Sequence, residues 1–301
     1  MFAKPGSQGA AFVQGQYVPI EDAKISVLDW GLTHSDAVYD VVHVWNGRFF
    51  RLDDHIERFL ASAKGWRLTL DHDRGQIAAI LHQCVRRSGL REAYVAMVCT
   101  RGRPRVPGQR RPSGAVNQFL AYAIPWQWGF APEVQERGAH VIIAKTRRIP
   151  PESVDPTLKN YHWGDLVRAM YEAEDAGADN AVLLDMDGFV TEGPGFNLFA
   201  VRDGVVVSPD RGALEGITRK TVYELCDELG IASRVGRLTA DDLYNADEAF
   251  AAATAGGIMP VARIDSHILS NDRPGPVSLK LKQLYWAKHD QGWHATAVTY
   301  D

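Results

Sequence analysis

Lys159 stands in the run SVDPTLKNYHWGDLVRAM, between prolines and a stretch of helical spacing. Pro150, Pro151 and Pro156 disfavour helix before it. After it, Trp163, Leu166, Val167 and Met170 recur on one helical face, and Gly177 is a natural stop. The spacing predicts an extended segment that turns into an amphipathic helix at Lys159. An amine pinned there can point inward and be partly desolvated, the setting in which a lysine forms a Schiff base. A lysine taken alone is a solvated surface charge. Its surroundings in the chain make the case.

Glu192 lies in Thr-Glu-Gly-Pro-Gly, at the end of a hairpin strand. It reads as exposed turn chemistry or as the partner of a heterocyclic nitrogen. Ile217 and Thr218 open a helix, so their amides are unpaired and carry the positive end of the dipole. Thr254-Ala255-Gly256-Gly257 follows a strand, and its small residues allow backbone amides to converge. Arg58 either adds a fixed positive charge or pairs on the surface with Asp54 or Glu57. Lysine, acid and anion cradle together describe a pyridoxal 5′-phosphate site. The dinucleotide signature GxGxxG, a Walker loop and a GxSxG elbow are all missing. The ten histidines, His34, His55 and His162 among them, lack metal-ligand spacing, so no metal is expected. Asp185-x-Asp187-Gly188 lacks the remaining ligands of a calcium loop and reads as a hairpin turn.

Hairpins and helices must position these groups. Gly15-Gln16 and Asn46-Gly47 mark turns between apolar runs, and Asn-Gly suits type I′. Asp53 is a candidate N-cap for a helix whose stripe is Ile56, Phe59, Leu60 and Ala63, with Arg58 off the stripe. A second helix is expected over residues 74–88, ending near Gly89. Residues 93–100 and 118–124 read as buried strands. Between them lies RGRPRVPGQRRPSG, either a solvated excursion or a cationic gate for an anionic substrate group. Asp187-Gly188 and Asp203-Gly204 are expected turns, and helices are expected from about Thr218 to Gly230 and over 276–289.

With 301 residues the chain is long enough for two domains. We expect a small N-terminal α+β domain at 1–124 after a loose tail, a linker at 125–135, and a larger domain at 136–301 carrying the lysine. Hydrophobic residues at 46% and charged residues at 23% supply an ordinary soluble core. A net charge of −4 argues against nucleic acid or an anionic membrane as partner. No apolar run spans a bilayer, and the N-terminus lacks a signal-peptide core. Cys84, Cys99 and Cys226 are far apart and odd in number, so reduced thiols in the cytoplasm are expected.

The motifs VLDWGLTHSDAVYDVVHVWNGRFFRLDDHIERF, DPTLKNYHWGDLVRAM, TEGPGFNLF, LEGITRK and TAGGIMP, in that order, resemble the class IV aminotransferases. Within that group, HSDxxYDV, LDDHIERF and KNYHWGDLVR are most similar to the (R)-selective amine transaminases. The resemblance implies fold type IV, an α+β fold with a small lobe and a larger lobe on a β-barrel-like core, assembled as a homodimer with sites at the lobe junction. It implies Lys159 as the Schiff-base lysine and Glu192 as partner of the pyridine nitrogen. Arg58, Ile217, Thr218 and Thr254 match the phosphate-holding positions, and Leu214 the residue packed on the ring. His34, Tyr39, Val41, Tyr94, Trp163 and Ala255 match the substrate pocket. In the amine transaminases an acidic residue is expected at position 96, where this chain has Ala96. Arg103 and Arg105 are the candidates for the arginine that meets a keto-acid carboxylate. The implied reaction moves an amino group from a primary amine, an (R)-amine, to a keto acid such as pyruvate. The implied alternatives are a D-amino acid or branched-chain transaminase and, further off, a lyase of the aminodeoxychorismate type.

Overall fold

The computed structural model describes residues 8–300; most of the expected tail, residues 1–7, lies outside them. Two compact units share the chain. The first runs to Gln127 and also takes in Leu158–Tyr161 and the chain from His289 onward. It begins with β1 (Ala10–Val13) and β2 (Gln16–Pro19). Their turn is Gln14-Gly15, both at positive φ (52° and 76°), one residue ahead of the expected pair. A two-residue turn of this kind places its glycine second, which decides the register. After α1 (Trp30–Thr33), β3 (Ala37–Trp45) and β4 (Arg48–Phe50) turn on Asn46-Gly47 as expected, with φ of 50° and 72°.

α2 (Leu52–Gly65) starts one residue before the expected Asp53 cap, because Arg51 takes the left-handed conformation there. Asp53 and Asp54 instead put negative charge in the first turn. α3 (Arg74–Ser88) is bounded as expected, by a reciprocal Asp73–Gln76 capping box and by Gly89 at φ 68°. β5 (Ala93–Pro104) and β6 (Ala115–Pro125) outrun the expected strands, since a bulge between Thr100 and Arg103 lets the ladder continue. Gly102 makes the bulge possible: its φ is 69°, and a Cβ there would overlap the Val116 carbonyl.

The pleat of β3, β5 and β6 sorts their side chains onto two faces. Val38, Val42, Val44, Val95, Met97, Cys99, Ala121 and Ala123 join Ile56, Phe59, Ile77 and Leu81 of the two helices in one core. Tyr39, Val41, Tyr94, Ala96 and Tyr122 belong to the opposite face. There the register aligns Val41 with Ala96 and Ala96 with Tyr122. Leu158–Tyr161 lies along β3. The Tyr39 N–H donates to the Lys159 carbonyl (3.1 Å) and the Tyr161 N–H to the Ala37 carbonyl (3.2 Å). Lys159 therefore sits in an extended segment of the first unit, not at a helix junction of the second. Two contacts from α2 hold the segment. The Lys159 N–H donates to Ser62 Oγ at 3.0 Å, and Leu158 occupies the space a Cβ on Gly65 would need.

The second unit holds Trp128–Thr157 and His162–Lys288. It opens with α4 (Pro132–Arg137), which begins inside the expected linker and runs two residues past it, and a proline at the helix start suits its missing N–H. β7 (Ala139–Arg147) follows, then α5 (Gly164–Asp175). The face α5 buries differs from expectation. Leu166, Ala169 and Ala173 pack on Ile142, Ala144, Ala181 and Leu183, whereas Val167 and Met170 are 42% and 38% exposed. Asp165 is drawn inward by Arg148 at 2.6 Å, which turns the buried stripe away from Val167 and Met170.

β8 (Asn180–Leu184), β9 (Glu192–Gly193), β10 (Phe196–Arg202) and β11 (Val205–Pro209) come next, with Asp203-Gly204 as the last turn. α6 (Ile217–Leu229), β12 (Ser233–Gly236), α7 (Ala240–Tyr244), β13 (Glu248–Ala253), β14 (Gly257–Ile264), β15 (His267–Ile268) and α8 (Pro276–Asp290) complete the unit, α8 ending in the first unit. β16 (Ala295–Ala297) pairs with β4 in the first unit. The strand order of the second sheet is β12-β11-β10-β13-β14-β7-β8. β8 bridges on to Val190, and β9 pairs with β10. The ladder thus returns on itself as the barrel-like core implied by the resemblance. Its interior is filled by Val141, Val182, Leu198, Ala251, Met259 and Val261. Among the described residues no helix is long and apolar enough to cross a membrane.

Candidate active site

In the first unit, Lys159 Nζ lies 4.5 Å from the centroid of the Tyr39 ring. Tyr39 stacks on Tyr161, with centroids 4.2 Å apart and planes 4° from parallel. Burial pushes the phenols of Tyr94, Tyr122 and Tyr161 up, and neighbouring phenols add to the effect. Those three stay uncharged, and with Tyr39 they make an aromatic wall beside the lysine. Val41 and Ala96 continue it, both buried.

Arg58 resolves the choice left open by the sequence. Its fork engages Asp40, while Asp54 is taken by Arg51 (3.0 Å) and Glu57 by Arg74 (2.9 Å). Arg58 Nε donates to Asp40 Oδ2 at 2.7 Å and its Nη2 to Oδ1 at 2.9 Å. Burial opposes ionisation of Asp40. The Arg58 cation and the hydrogen bonds from His55 and Arg58 outweigh it and hold the carboxyl well below the usual range. Burial also lowers the proton affinity of His55, against the pull of Asp40. His55 is then neutral, and its contact with Asp40 at 2.8 Å assigns the ring proton to Nδ1.

His34, Arg103 and Arg105 form a separate group in the same unit. All three are exposed and line an open pocket of about 1150 Å³ with Leu28 and Trp30. Lys159 is not among its walls. Arg101, which reads as part of the same cationic loop, is instead buried. It pairs with Asp36 at 2.8 Å and donates to the carbonyls of Trp66 and Arg67.

The remaining expected residues lie in the second unit. Glu192 is buried on β9. Its Oε1 accepts from Arg148 Nε (3.2 Å) and Nη2 (3.0 Å), and its Oε2 from the Leu214 N–H (2.9 Å). Asp165 holds the other edge of Arg148. Burial works against the Arg148 cation, and the two carboxylates outweigh it and raise its pKa. The Leu214 carbonyl accepts from Asn197 Nδ2 at 2.8 Å. Gly216 then starts α6 with no side-chain cap, and Ile217 and Thr218 are buried at that start. Asn197 pairs across strands with Ala252, so the turn carrying Thr254 and Ala255 leaves β13 near the same strand end. In that turn Gly257 has φ 68°, and a Cβ on it would come within 2.6 Å of the Tyr285 ring. Trp163 stands half-buried next to Gly195.

The first unit thus offers an amine in an extended segment, and the second unit, taken by itself, a buried carboxylate steered by an arginine and an uncapped helix start near a glycine-rich turn. A model of the family described as Amino-transferase class IV matches residues 37–264. The chain belongs to the class IV aminotransferases. One relative is the putative branched-chain-amino-acid aminotransferase of Methanocaldococcus jannaschii, 36% identical over 91% of this chain and 94% of that protein. The branched-chain-amino-acid aminotransferase of Escherichia coli strain K12 is 30% identical over 90% of both. Among solved structures, the Escherichia coli branched-chain amino acid aminotransferase superposes with a TM-score of 0.91 at 27% identity, covering 96% of this chain and 99% of that one. The branched-chain amino acid aminotransferase of Thermobaculum terrenum, solved in its PLP form, gives 0.86 at 26% identity, covering 98% and 100%. Enzymes of class IV work with pyridoxal 5′-phosphate, and the residues present fit that group. A lysine amine suits its aldehyde, a buried carboxylate its ring nitrogen, and unpaired helix amides its phosphate.

Sequence reasoning missed Asp40, His55, Tyr122, Arg148, Tyr161 and Asp165 as parts of the site. Arg148 and Asp165 leave one trace, as charged residues flanking the proline-rich approach to Lys159.

Proposed function

We propose that this aminotransferase moves the amino group of a donor with an apolar side chain, a branched-chain amino acid, to a 2-oxo acid. The observation that carries the reading is the wall of Tyr39, Tyr94, Tyr122 and Tyr161 beside Lys159. Such a surface favours an aliphatic or aromatic substituent next to the reacting amine. The relatives, branched-chain-amino-acid aminotransferases by name, support the same substrate class.

In this reading Lys159 would hold the cofactor through its aldehyde, and its amine would serve as the base that removes the proton from the substrate α-carbon and then as the acid that delivers it away from that carbon. Pyridoxal 5′-phosphate, when bound, supplies the electron sink. Glu192 keeps the ring nitrogen protonated, and Leu214 packs on the ring. Arg58 and the groups of Ile217, Thr218 and Thr254 hold the phosphate. His34, Tyr39, Val41, Tyr94, Ala96, Trp163 and Ala255 bound the substrate, and Arg103 and Arg105 are the candidates for the arginine that meets the carboxylate of the acid.

A second reading, an (R)-selective amine transaminase with pyruvate as acceptor, is favoured by the HSDxxYDV, LDDHIERF and KNYHWGDLVR runs. Ala96, lacking the acid of that subgroup, weighs against it. A substrate panel separates the two. L-Leucine, L-valine and L-isoleucine with 2-oxoglutarate should outpace D-alanine and (R)-1-phenylethylamine, by the ~10–200-fold that a shaped apolar pocket provides. Turnover of (R)-1-phenylethylamine with pyruvate and none of L-leucine would install the second reading.

The working enzyme is a homodimer of a cytoplasmic protein. Ile25, Val27, Leu28 and Leu32 are 44%, 75%, 65% and 59% exposed, an apolar strip that a second copy would cover. Light scattering should give twice the 33.3 kDa chain mass; the mass of one chain would remove this assignment. The buried thiols of Cys84, Cys99 and Cys226 suit a reducing compartment.

A further inference from the structure

We infer that Asp40, oriented by His55, is the positioning residue that aims Arg58 at the cofactor phosphate. This rests on the reading of Arg58 as a phosphate ligand. Asp40 belongs to β3, on the face of the sheet turned toward α2. Its carboxylate is fully buried, a place where an acid persists only for its partners. Four donors converge on it. Arg58 gives Nε to Oδ2 and Nη2 to Oδ1, while His55 Nδ1 at 2.8 Å and the Val41 N–H at 2.7 Å both reach Oδ1.

Each contact has a geometric consequence. The two-point fork fixes the plane of the guanidinium, which four side-chain torsions would otherwise leave free. His55 is itself buried on α2, one turn before Arg58, so its bond prevents the carboxylate from rotating with the arginine. The pairing neutralises part of the Arg58 charge and in return gives it a direction. A phosphate ligand benefits from that exchange, because an anion held by a preoriented donor loses less ordering free energy on binding. The same helix supplies Ser62 to the Lys159 amide, so α2 sets both the guanidinium and the lysine segment.

The experiment compares the affinities of full-length apoprotein for pyridoxal 5′-phosphate and for pyridoxal, which lacks the phosphate. Asp40→Asn keeps the shape and one acceptor while removing the charge. It should weaken pyridoxal 5′-phosphate by roughly 10–100-fold, the range seen when an outer-shell partner of a ligand-holding group is lost, and leave pyridoxal nearly unchanged. Arg58→Ala should show the same selectivity with a larger loss. His55→Phe removes one orienting donor and should show a smaller selective loss, and it carries the test if Asp40→Asn fails to fold. Equal weakening of both ligands by these variants would make Asp40 a general scaffold residue and overturn the inference. Unchanged phosphate-dependent affinity, with Arg58→Ala impaired, would also overturn it while leaving the Arg58 role standing. An unimpaired Arg58→Ala would remove both.

Discussion

Lys159→Ala should lose transamination by about 10⁴-fold or more while its thermal unfolding stays close to that of the parent chain. The two halves of this expectation have separate physical grounds. The backbone of Leu158–Tyr161 is held by bonds to Ala37 and Tyr39 and by Ser62, none of which involves the lysine side chain. Truncation at Cβ therefore leaves the strand in place beside β3. What disappears is the amine 4.5 Å from the Tyr39 ring, and among the described residues the buried tyrosines and His55 nearby are not free to replace it as base. Burial keeps the phenols of Tyr94, Tyr122 and Tyr161 protonated, and His55 is committed to Asp40. Single-turnover measurements with L-leucine and the amine panel would read the loss. Activity within tenfold of the parent would sink the assignment of Lys159, and with it the proposed role of the tyrosine wall.

Glu192→Gln comes next, with an expected slowing of proton removal by about 10²–10³-fold. Glutamine keeps the size of the side chain but cannot serve all its present partners. Oε1 accepts two bonds from Arg148, and Oε2 accepts the Leu214 N–H. With its oxygen toward Arg148, the new amide nitrogen faces the Leu214 N–H, donor against donor. In the other orientation it faces the Arg148 cation. Either arrangement leaves a buried group unpaired, at about 1–3 kcal/mol of stability. The variant should thus melt earlier as well as react more slowly, and an α-deuterated donor should show an undiminished isotope effect. If single-turnover rates match the parent while the melting point falls, Glu192 is a structural partner of Arg148 and has no part in the chemistry.

Arg148 also shows why part of this site was illegible in the chain. It sits 17 residues from Asp165 and 44 from Glu192, and it joins them only through the closure of β7, α5 and β9. Nothing in the local run TRRIPP distinguishes it from Arg147 beside it. The same holds for Arg58. Of its neighbours, Asp54 lies four residues before it at helical pairing spacing, and Glu57 adjoins it directly in sequence. The pleat of β3 presents Asp40 instead, buried and already held by His55, and a desolvated carboxylate is the stronger partner for a guanidinium. The buried face of α5 was misjudged for a related reason. Val167 and Met170 satisfy the helical period, but the pull of Arg148 on Asp165 sets the rotation of the helix.

Short-range chemistry needed no tertiary context. Asn46-Gly47 and the stops at Gly89 and Gly230 were legible because turn dihedrals and caps are decided within four or five residues. The family was legible because several short motifs keep one order along the chain. Packing alone decided that Lys159 joins the first unit, that the bulge at Gly102 lengthens β5, that Asp40 pairs with Arg58, and that Arg148 pairs with Glu192 and Asp165. Those outcomes depend on desolvated contacts between residues far apart in sequence, whose energies exist only after the strands and helices have closed around them.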